Sequence, residues 1–223
     1  MASNKETIAP EIEKLFDGMK KFHEKYFSPS SPHRTLYNEL VVEGQSPKII
    51  LISCADSRVD PSMIFNCRPG DLFVVRNVAN LIPPYQADRS YHGTSAALEF
   101  AVNVLEVKHI IILGHSQCGG IKSLFTTPKI LEKKTHSFIT SWMKLARPAY
   151  QKVVEKYHAE PLETQTTACE QYSLIHSLNN LKTFPWIHKK IINKKVQVHG
   201  WYFDLATGST HIYDQQKKHW HTE

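Results

Sequence analysis

Three short apolar runs, at residues 48–53, 72–75 and 109–113, constrain the fold of this chain more than any other feature of its sequence. They are rich in isoleucine, leucine and valine, and none alternates apolar with polar residues. A strand with one wet face would alternate, so these runs predict strands buried on both faces, as in a parallel sheet. Parallel strands cannot be joined by a tight turn and need a crossover, usually a helix. Between the second and third runs, Ala96, Ala97, Phe100, Ala101 and Leu105 recur at helical spacing within residues 93–105 and supply one. The expected fold class is α/β: a mostly parallel central β-sheet flanked by helices, with right-handed crossovers.

Segments on either side extend that sheet. Residues 10–28 place Ile12, Leu15, Phe16, Met19, Phe22 and Phe27 at helical spacing among charged residues, and Ser28-Pro29-Ser30-Ser31-Pro32 ends the helix. This N-terminal helical arm precedes every strand, so it packs either on another subunit or on the core of its own domain. Residues 138–158 and 162–181 have helical patterns separated at Pro161. Residues 195–203 and 209–213 flank Thr207-Gly208 and predict a C-terminal hairpin. No internal repeat or flexible linker interrupts the 223 residues, a length that one domain can fill. The expected organisation is one domain, with the arm over residues 1–35 and an α/β core over residues 36–223.

Composition narrows the functional classes. The longest apolar stretches fall far short of the roughly 20 residues that cross a bilayer as a helix, so no membrane partner is expected. The N-terminus, Met1-Ala2-Ser3-Asn4-Lys5-Glu6, has neither the apolar core of a secretory signal nor the arginine-rich pattern of a transit peptide. Four cysteines, Cys54, Cys67, Cys118 and Cys169, are too sparse for a disulfide framework. They are expected as thiols kept for metal or chemistry in a reducing, cytoplasmic compartment. Net charge is +6, but lysine pairs such as Lys189-Lys190 and Lys217-Lys218 are scattered and form no basic tail. A solvated lysine-rich surface is expected, and no nucleic-acid partner.

Residues suited to chemistry concentrate where two of the runs end. Cys54-Ala55-Asp56-Ser57-Arg58 follows the first, and Gly114-His115-Ser116-Gln117-Cys118-Gly119-Gly120 follows the third. In open α/β sheets, ligands gather outside the carboxyl ends of the strands, which directs both segments at one crevice. Cys54, His115 and Cys118 are donors that zinc favours, and three protein ligands leave a fourth position open, as catalytic sites need. Asp56 beside such a centre is either a fourth ligand or a hydrogen-bond acceptor next to it. Arg58 can hold that carboxylate ionised through a two-pronged hydrogen bond.

Cys54-x-Asp56-Ser57-Arg58, then Arg76-Asn77-x-Ala79-Asn80, then Gly114-His115-x-x-Cys118-Gly119-Gly120 together resemble the β-class carbonic anhydrases. The resemblance spans roughly residues 45–124 and continues more weakly through the C-terminal strands. It implies Cys54, His115 and Cys118 as ligands of one Zn2+ per chain, with Asp56 and Arg58 as the catalytic dyad. The implied reaction is reversible hydration of CO2 to bicarbonate and a proton, by attack of zinc-bound hydroxide on CO2. Members of the family that close the site with Asp carry Trp and Gly three and one residues before the first Cys. Leu51 and Ser53 stand there in this chain, so the open form is expected. Gln45-Ser46-Pro47-Lys48 and Phe73 resemble the plant-like branch, where the Gln and Phe line the substrate pocket from a neighbouring subunit. A pocket Tyr of that branch aligns with Phe100, whose ring lacks the hydroxyl. The resemblance also implies a homodimer or homotetramer.

Two thiolates cancel the formal charge of zinc, making it a weaker Lewis acid than zinc held by three imidazoles, so activity is expected to rise with pH near or above neutrality. Gln45 and the Gly119 N–H are candidates to bind the developing bicarbonate oxygen. Val78, Phe73 and Leu81 are candidates for an apolar wall that receives CO2, and His92 and His211 for a proton relay. Cys67 and Cys169 are expected as buried or half-buried thiols, and Trp201 and Tyr202 as packing or interface residues. Two alternatives use the same residues. One is a related hydrolase of carbonyl sulfide or carbon disulfide; the other is a non-catalytic zinc protein that senses CO2 or bicarbonate, which needs a closed metal or a lost dyad.

Overall fold

The computed structural model describes residues 9–88, 90–127 and 137–222. Residues 1–8, on which the expectation of an untargeted chain rests, lie outside them. The chain forms two compact units, Met1–Gln45 and Ser46–Glu223. In the first, α1 (Pro10–Phe27) begins with proline and carries Glu11 and Glu13 in its first turn and Lys25 in its last, each suited to the helix dipole. Phe22, Tyr26 and Phe27 of α1 meet Tyr37 of α2 (Arg34–Glu43), with ring centroids 5.8, 5.3 and 4.8 Å apart. No residue of α1 is buried.

The second unit is built on one sheet of β1 (Ile49–Cys54), β2 (Leu72–Asn77), β3 (His109–His115), β4 (Gln197–Phe203), β5 (Thr210–Asp214) and β6 (His219–Thr222). Their order is β2-β1-β3-β4-β5-β6. The first four are mutually parallel and the last two antiparallel, which gives the mostly parallel α/β fold expected from the sequence. The central strands β1 and β3 are buried along nearly their whole length, as continuous apolar runs demand. β2 departs from that expectation: it is a sheet edge, and its residues alternate between half-buried and exposed. The C-terminal hairpin is also larger than expected, because β6 adds a third antiparallel strand and β4 joins the parallel sheet beside β3.

The helices of this unit are α3 (Pro61–Ile64), α4 (Gly93–Glu99), α5 (Gly119–Thr126), α6 (Phe138–Met143), α7 (Arg147–Tyr157), α8 (Leu162–Leu181) and α9 (Pro185–Ile192). The helix expected over residues 93–105 is α-helical only to Glu99 and then widens into a π turn, Phe100–Val104. The helix expected over 138–158 is broken by a tighter turn at Lys144–Ala146. Pro148 explains the break: it has no N–H to donate, and its ring clashes with a carbonyl one turn back, so a helix restarts there and does not pass through. On one face of the sheet, Ile50, Ile52, Ile110 and Ile112 form a core with Leu98, Leu174, Leu178 and Ile187. On the other, Leu51, Ile111 and Leu113 pack with Phe65 and Trp201.

The topology fixes where a site can form. From β1 the chain crosses to β2 on one side and then returns to place β3 on the other. The carboxyl ends of β1 and β3 therefore flank the point where the strand order reverses, the usual ligand crevice of such sheets.

Candidate metal centre

Cys54 is the last residue of β1 and His115 the last of β3, while Cys118 sits immediately before α5. Their Sγ and ring-nitrogen atoms all lie within 4.8 Å of one another, and all three residues are buried. The two sulfurs are 4.0 Å apart. The Cys54 thiol is pulled down by the hydrogen bond from Cys118, and Cys118 is pushed up because it shares that proton and is buried. Two buried thiols at this separation ionise together only if a cation balances them. The imidazole fits the same requirement. His115 Nδ1 contacts the Ser116 carbonyl at 2.8 Å, which assigns its proton there. Nε2 is buried with no N or O partner among the described residues and lies in one cluster with the two sulfurs. Two thiols and an imidazole nitrogen are a donor set that suits zinc.

The surrounding backbone is shaped to this cluster. Ala79, in the left-handed region at φ 62°, donates its N–H to Cys54 Sγ at 3.3 Å. A Cβ at Gly120 would come within 3.0 Å of Val78 Cγ1 and 3.2 Å of Ala79 Cβ, so the absent side chain lets this segment approach α5. Arg76, at the end of β2, donates from Nε to the Cys54 carbonyl (3.0 Å), from Nη2 to the Asp56 carbonyl (2.6 Å) and from Nη1 to Asp60 (3.2 Å). Arg76 thus braces the loop that carries Cys54 and Asp56.

Asp56 and Arg58 form a two-pronged pair: Arg58 Nε reaches Oδ1 at 2.9 Å and Nη2 reaches Oδ2 at 2.8 Å. The Arg58 N–H also donates to Oδ1 at 3.0 Å. Nη2 further contacts the Gln117 carbonyl at 3.2 Å, which ties this pair to the loop that carries Cys118. The Arg58 hydrogen bonds hold the Asp56 carboxyl well below the usual carboxylate range, against a smaller opposing effect of burial. Both carboxylate oxygens are engaged by arginine, and Asp56 is not among the clustered ligands.

The structure thus brings together Cys54, His115, Cys118, Asp56, Arg58 and Gly119, the first residue of α5. Val78 is partly exposed next to Ala79, and Leu81 is buried in the core. Phe73 pairs in register with Ile50, four residues before Cys54, so about 13 Å of strand separates it from the cluster. It packs against Phe100, with centroids 5.9 Å apart. Gln45 is exposed and closes the N-terminal unit. His92 pairs with Asp88 at 2.7 Å, and His211 contacts Thr222 at 2.9 Å. Cys67 is half-buried and Cys169 buried, both as free thiols.

Glu170 and its partner Tyr202 reach the ligand loop although the sequence does not single them out for the site. Glu170 of α8 is 4 % exposed and accepts from the Cys118 N–H at 2.8 Å and from the Tyr202 hydroxyl at 2.7 Å. Burial pushes its carboxyl up to about 7, against the pull of Tyr202 and the Cys118 N–H. The available signal was a glutamate inside a helical stripe of Cys169, Ser173, Leu174, Ser177 and Leu178, where a charge has no place unless it is paired.

The sequence model of the family described as carbonic anhydrase matches residues 49–210. A carbonic anhydrase of Synechocystis sp. is 37 % identical over 204 residues, 91 % of this chain and 71 % of the relative. Beta carbonic anhydrase 3 of Arabidopsis thaliana is 34 % identical over 204 residues, 91 % of this chain and 77 % of the relative. Among solved structures, the beta-carbonic anhydrase CcaA is similar with a TM-score of 0.87 and 34 % identity, over 96 % of this chain and 93 % of that one. A tetrameric beta-carbonic anhydrase of Sordaria macrospora is similar with a TM-score of 0.69 and 27 % identity, over 91 % and 93 % of the two chains.

Proposed function

The chain belongs to the β-class carbonic anhydrases, and on that footing we propose that it hydrates CO2 reversibly at a zinc ion held by Cys54, His115 and Cys118. The observation that carries the reading is the buried triad of two thiols and an imidazole, with ligand atoms all within 4.8 Å of one another. Zinc bound there supplies a Lewis acid that acidifies water for attack on CO2. Everything else is the work of the chain. Asp56, kept ionised by Arg58, would offer a hydrogen-bond acceptor beside the metal held by the triad and orient what binds there. Arg58 engages both carboxylate oxygens, which would keep Asp56 from acting as a fourth ligand. The Gly119 N–H, at the positive end of α5, would receive the charge that develops on the bicarbonate oxygen in this reading.

Gln45 and Phe73 complete the substrate pocket of a neighbouring subunit in this reading, within a homodimer or homotetramer. The solved relatives from Sordaria macrospora are described as tetrameric. Among the described residues no helix is long and apolar enough to cross a membrane; the cytoplasm is the compartment we propose, with neither membrane nor nucleic acid as partner. A sensing protein would need a closed metal or a lost dyad, and the paired Asp56–Arg58 geometry speaks against both.

Stopped-flow CO2 hydration from about pH 6.5 to 9, with zinc content measured on the same sample, tests the proposal. About one zinc per chain is expected, with activity that rises with pH and is lost in Asp56→Asn. Zinc present without hydration at any pH would overturn it and point to carbonyl sulfide or carbon disulfide hydrolysis, or to sensing.

A further inference from the structure

Two hydrogen-bond chains start at the end of β4 and finish on metal ligands, although β4 lies some 80 residues further along the sequence. The first runs from the Tyr202 hydroxyl to Glu170 Oε2 (2.7 Å), and from the Cys118 N–H to Glu170 Oε1 (2.8 Å). Tyr202 and Glu170 are 3 % and 4 % exposed, so neither bond competes with water. The second runs through Ser116. Its hydroxyl donates to Asp204 Oδ1 at 3.0 Å and accepts from the Leu205 N–H at 2.8 Å, while its N–H donates to the Phe203 carbonyl at 2.9 Å. The Ser116 carbonyl, fixed in this way, is the partner of His115 Nδ1. Asp204 is itself set by the Ala206 N–H (3.0 Å) and the Thr207 hydroxyl (2.8 Å).

We propose that the end of β4 and the turn after it position the metal ligands, Tyr202 acting on Cys118 through Glu170 and Asp204 acting on His115 through Ser116. This rests on the zinc reading above. The physical case is geometric. Cys118 follows Gln117, which is in the left-handed region at φ 58°, so the peptide between them sits in a loop with no ladder to hold it. Anchoring its N–H on a buried carboxylate fixes that peptide plane, and with it the direction of the Cys118 side chain. On the other ligand, the contact to the Ser116 carbonyl selects the imidazole tautomer that leaves Nε2 unprotonated. Groups that orient metal ligands in this way commonly set how tightly the metal is held. The register explains why β4 can reach both: Gly114 and His115 pair with Tyr202 and Phe203. Tyr202, Glu170, Ser116 and Asp204 are therefore positioning residues, since none touches substrate.

The test is zinc loss from the loaded protein into an excess of a colorimetric chelator, followed as a rate at fixed pH. Tyr202→Phe deletes one hydroxyl and keeps the ring, and Asp204→Ala deletes the other anchor. Each should release zinc about 10–100-fold faster than wild type. Glu170→Gln keeps an amide oxygen for the Cys118 N–H and should stay close to wild type. Asp214→Ala is the control: Asp214 caps the next turn through the Gln216 and Lys217 N–H groups and has no hydrogen bond to a ligand loop. It should release zinc at the wild-type rate. If Tyr202→Phe and Asp204→Ala hold zinc within about twofold of wild type, or lose it no faster than Asp214→Ala, the inference fails while the zinc reading stands. If the wild-type chain takes up no zinc, the zinc reading fails and takes the inference with it.

Discussion

Asp56 has two possible uses in a crevice of this kind, ligation of the metal or support of what binds there, and the geometry of Arg58 selects between them. Two parallel N–H donors from one planar guanidinium occupy both carboxylate oxygens. Lysine cannot reproduce that fork, because its ammonium is a single compact charge on a flexible stem. Arg58→Lys should therefore retain the proposed zinc, whose three proposed ligands are untouched, yet lower kcat/KM by about 10–100-fold. Stopped-flow rates beside zinc content measure both halves; activity within twofold of wild type would count against the assigned role. The loss should be the same across the neutral range, because Asp56 is ionised throughout it. The sign of the linkage agrees: with its folded pKa depressed, Asp56 stabilises the fold above about pH 4, and that contribution fades as the pH falls through the folded value. At this scale the sequence was legible wherever the chemistry is local. Cys54, Asp56 and Arg58 lie within five residues, and His115 and Cys118 within four. Arg76 and Glu170 act on backbone groups 20 and 52 residues away, and Tyr202 on the Glu170 carboxylate 32 residues away, which spacing does not encode.

The packing of α8 on the sheet links fold to site, since this helix brings Glu170 to Cys118. Leu174 and Leu178 of α8 sit over β3 and β4 where those strands carry Gly114 and Gly200. A Cβ at Gly200 would lie 2.6 Å from Leu174 Cδ2 and 2.8 Å from Leu178 Cδ1, and one at Gly114 3.0 Å from Leu174 Cδ1. Both leucines are fully buried, so neither can swing into open space. Gly200→Ala should cost about 1–3 kcal/mol through overpacking, seen as a lower urea midpoint at equal protein concentration. An unchanged midpoint would mean that α8 can slide, and that its grip on the ligand loop is looser than the glycines suggest. The strands beneath α8 could be foreseen, because continuous apolar runs belong to buried strands and to little else. β2 departs from the expectation for the same reason: four apolar residues look alike on an edge and in a centre, and only the strand order tells them apart. The π turn at Phe100–Val104 and the interruption at Lys144–Ala146 were hidden by side-chain spacing that a regular helix would share.

On the scale of the whole molecule, α1 is an amphipathic helix that meets Tyr37 of α2 near its C-terminal end and leaves most of its apolar stripe exposed. None of its 18 residues is buried, and Leu15 and Met19, one turn apart, are 63 % and 65 % exposed, with Ile12, Phe16 and Phe22 beside them. A contiguous apolar stripe of this length marks an interaction surface, and helices of this size are marginal in water without one. The sequence left two homes for the arm, another subunit or its own core, and no pattern within a single chain distinguishes them. The two classes of site residue supply a way to do so. In the proposed reading, metal binding needs only Cys54, His115 and Cys118, which one chain brings together, whereas Gln45 and Phe73 serve the pocket only across an interface. Introducing charge into the stripe with the double substitution Leu15→Glu, Met19→Glu should therefore separate the two properties. Light scattering should show the oligomer falling to a smaller species that still binds zinc, while CO2 hydration drops at least about tenfold because the pocket is incomplete. A wild-type monomer, or a dissociated variant with full activity, would show that each chain builds its pocket alone and that the arm serves some other contact.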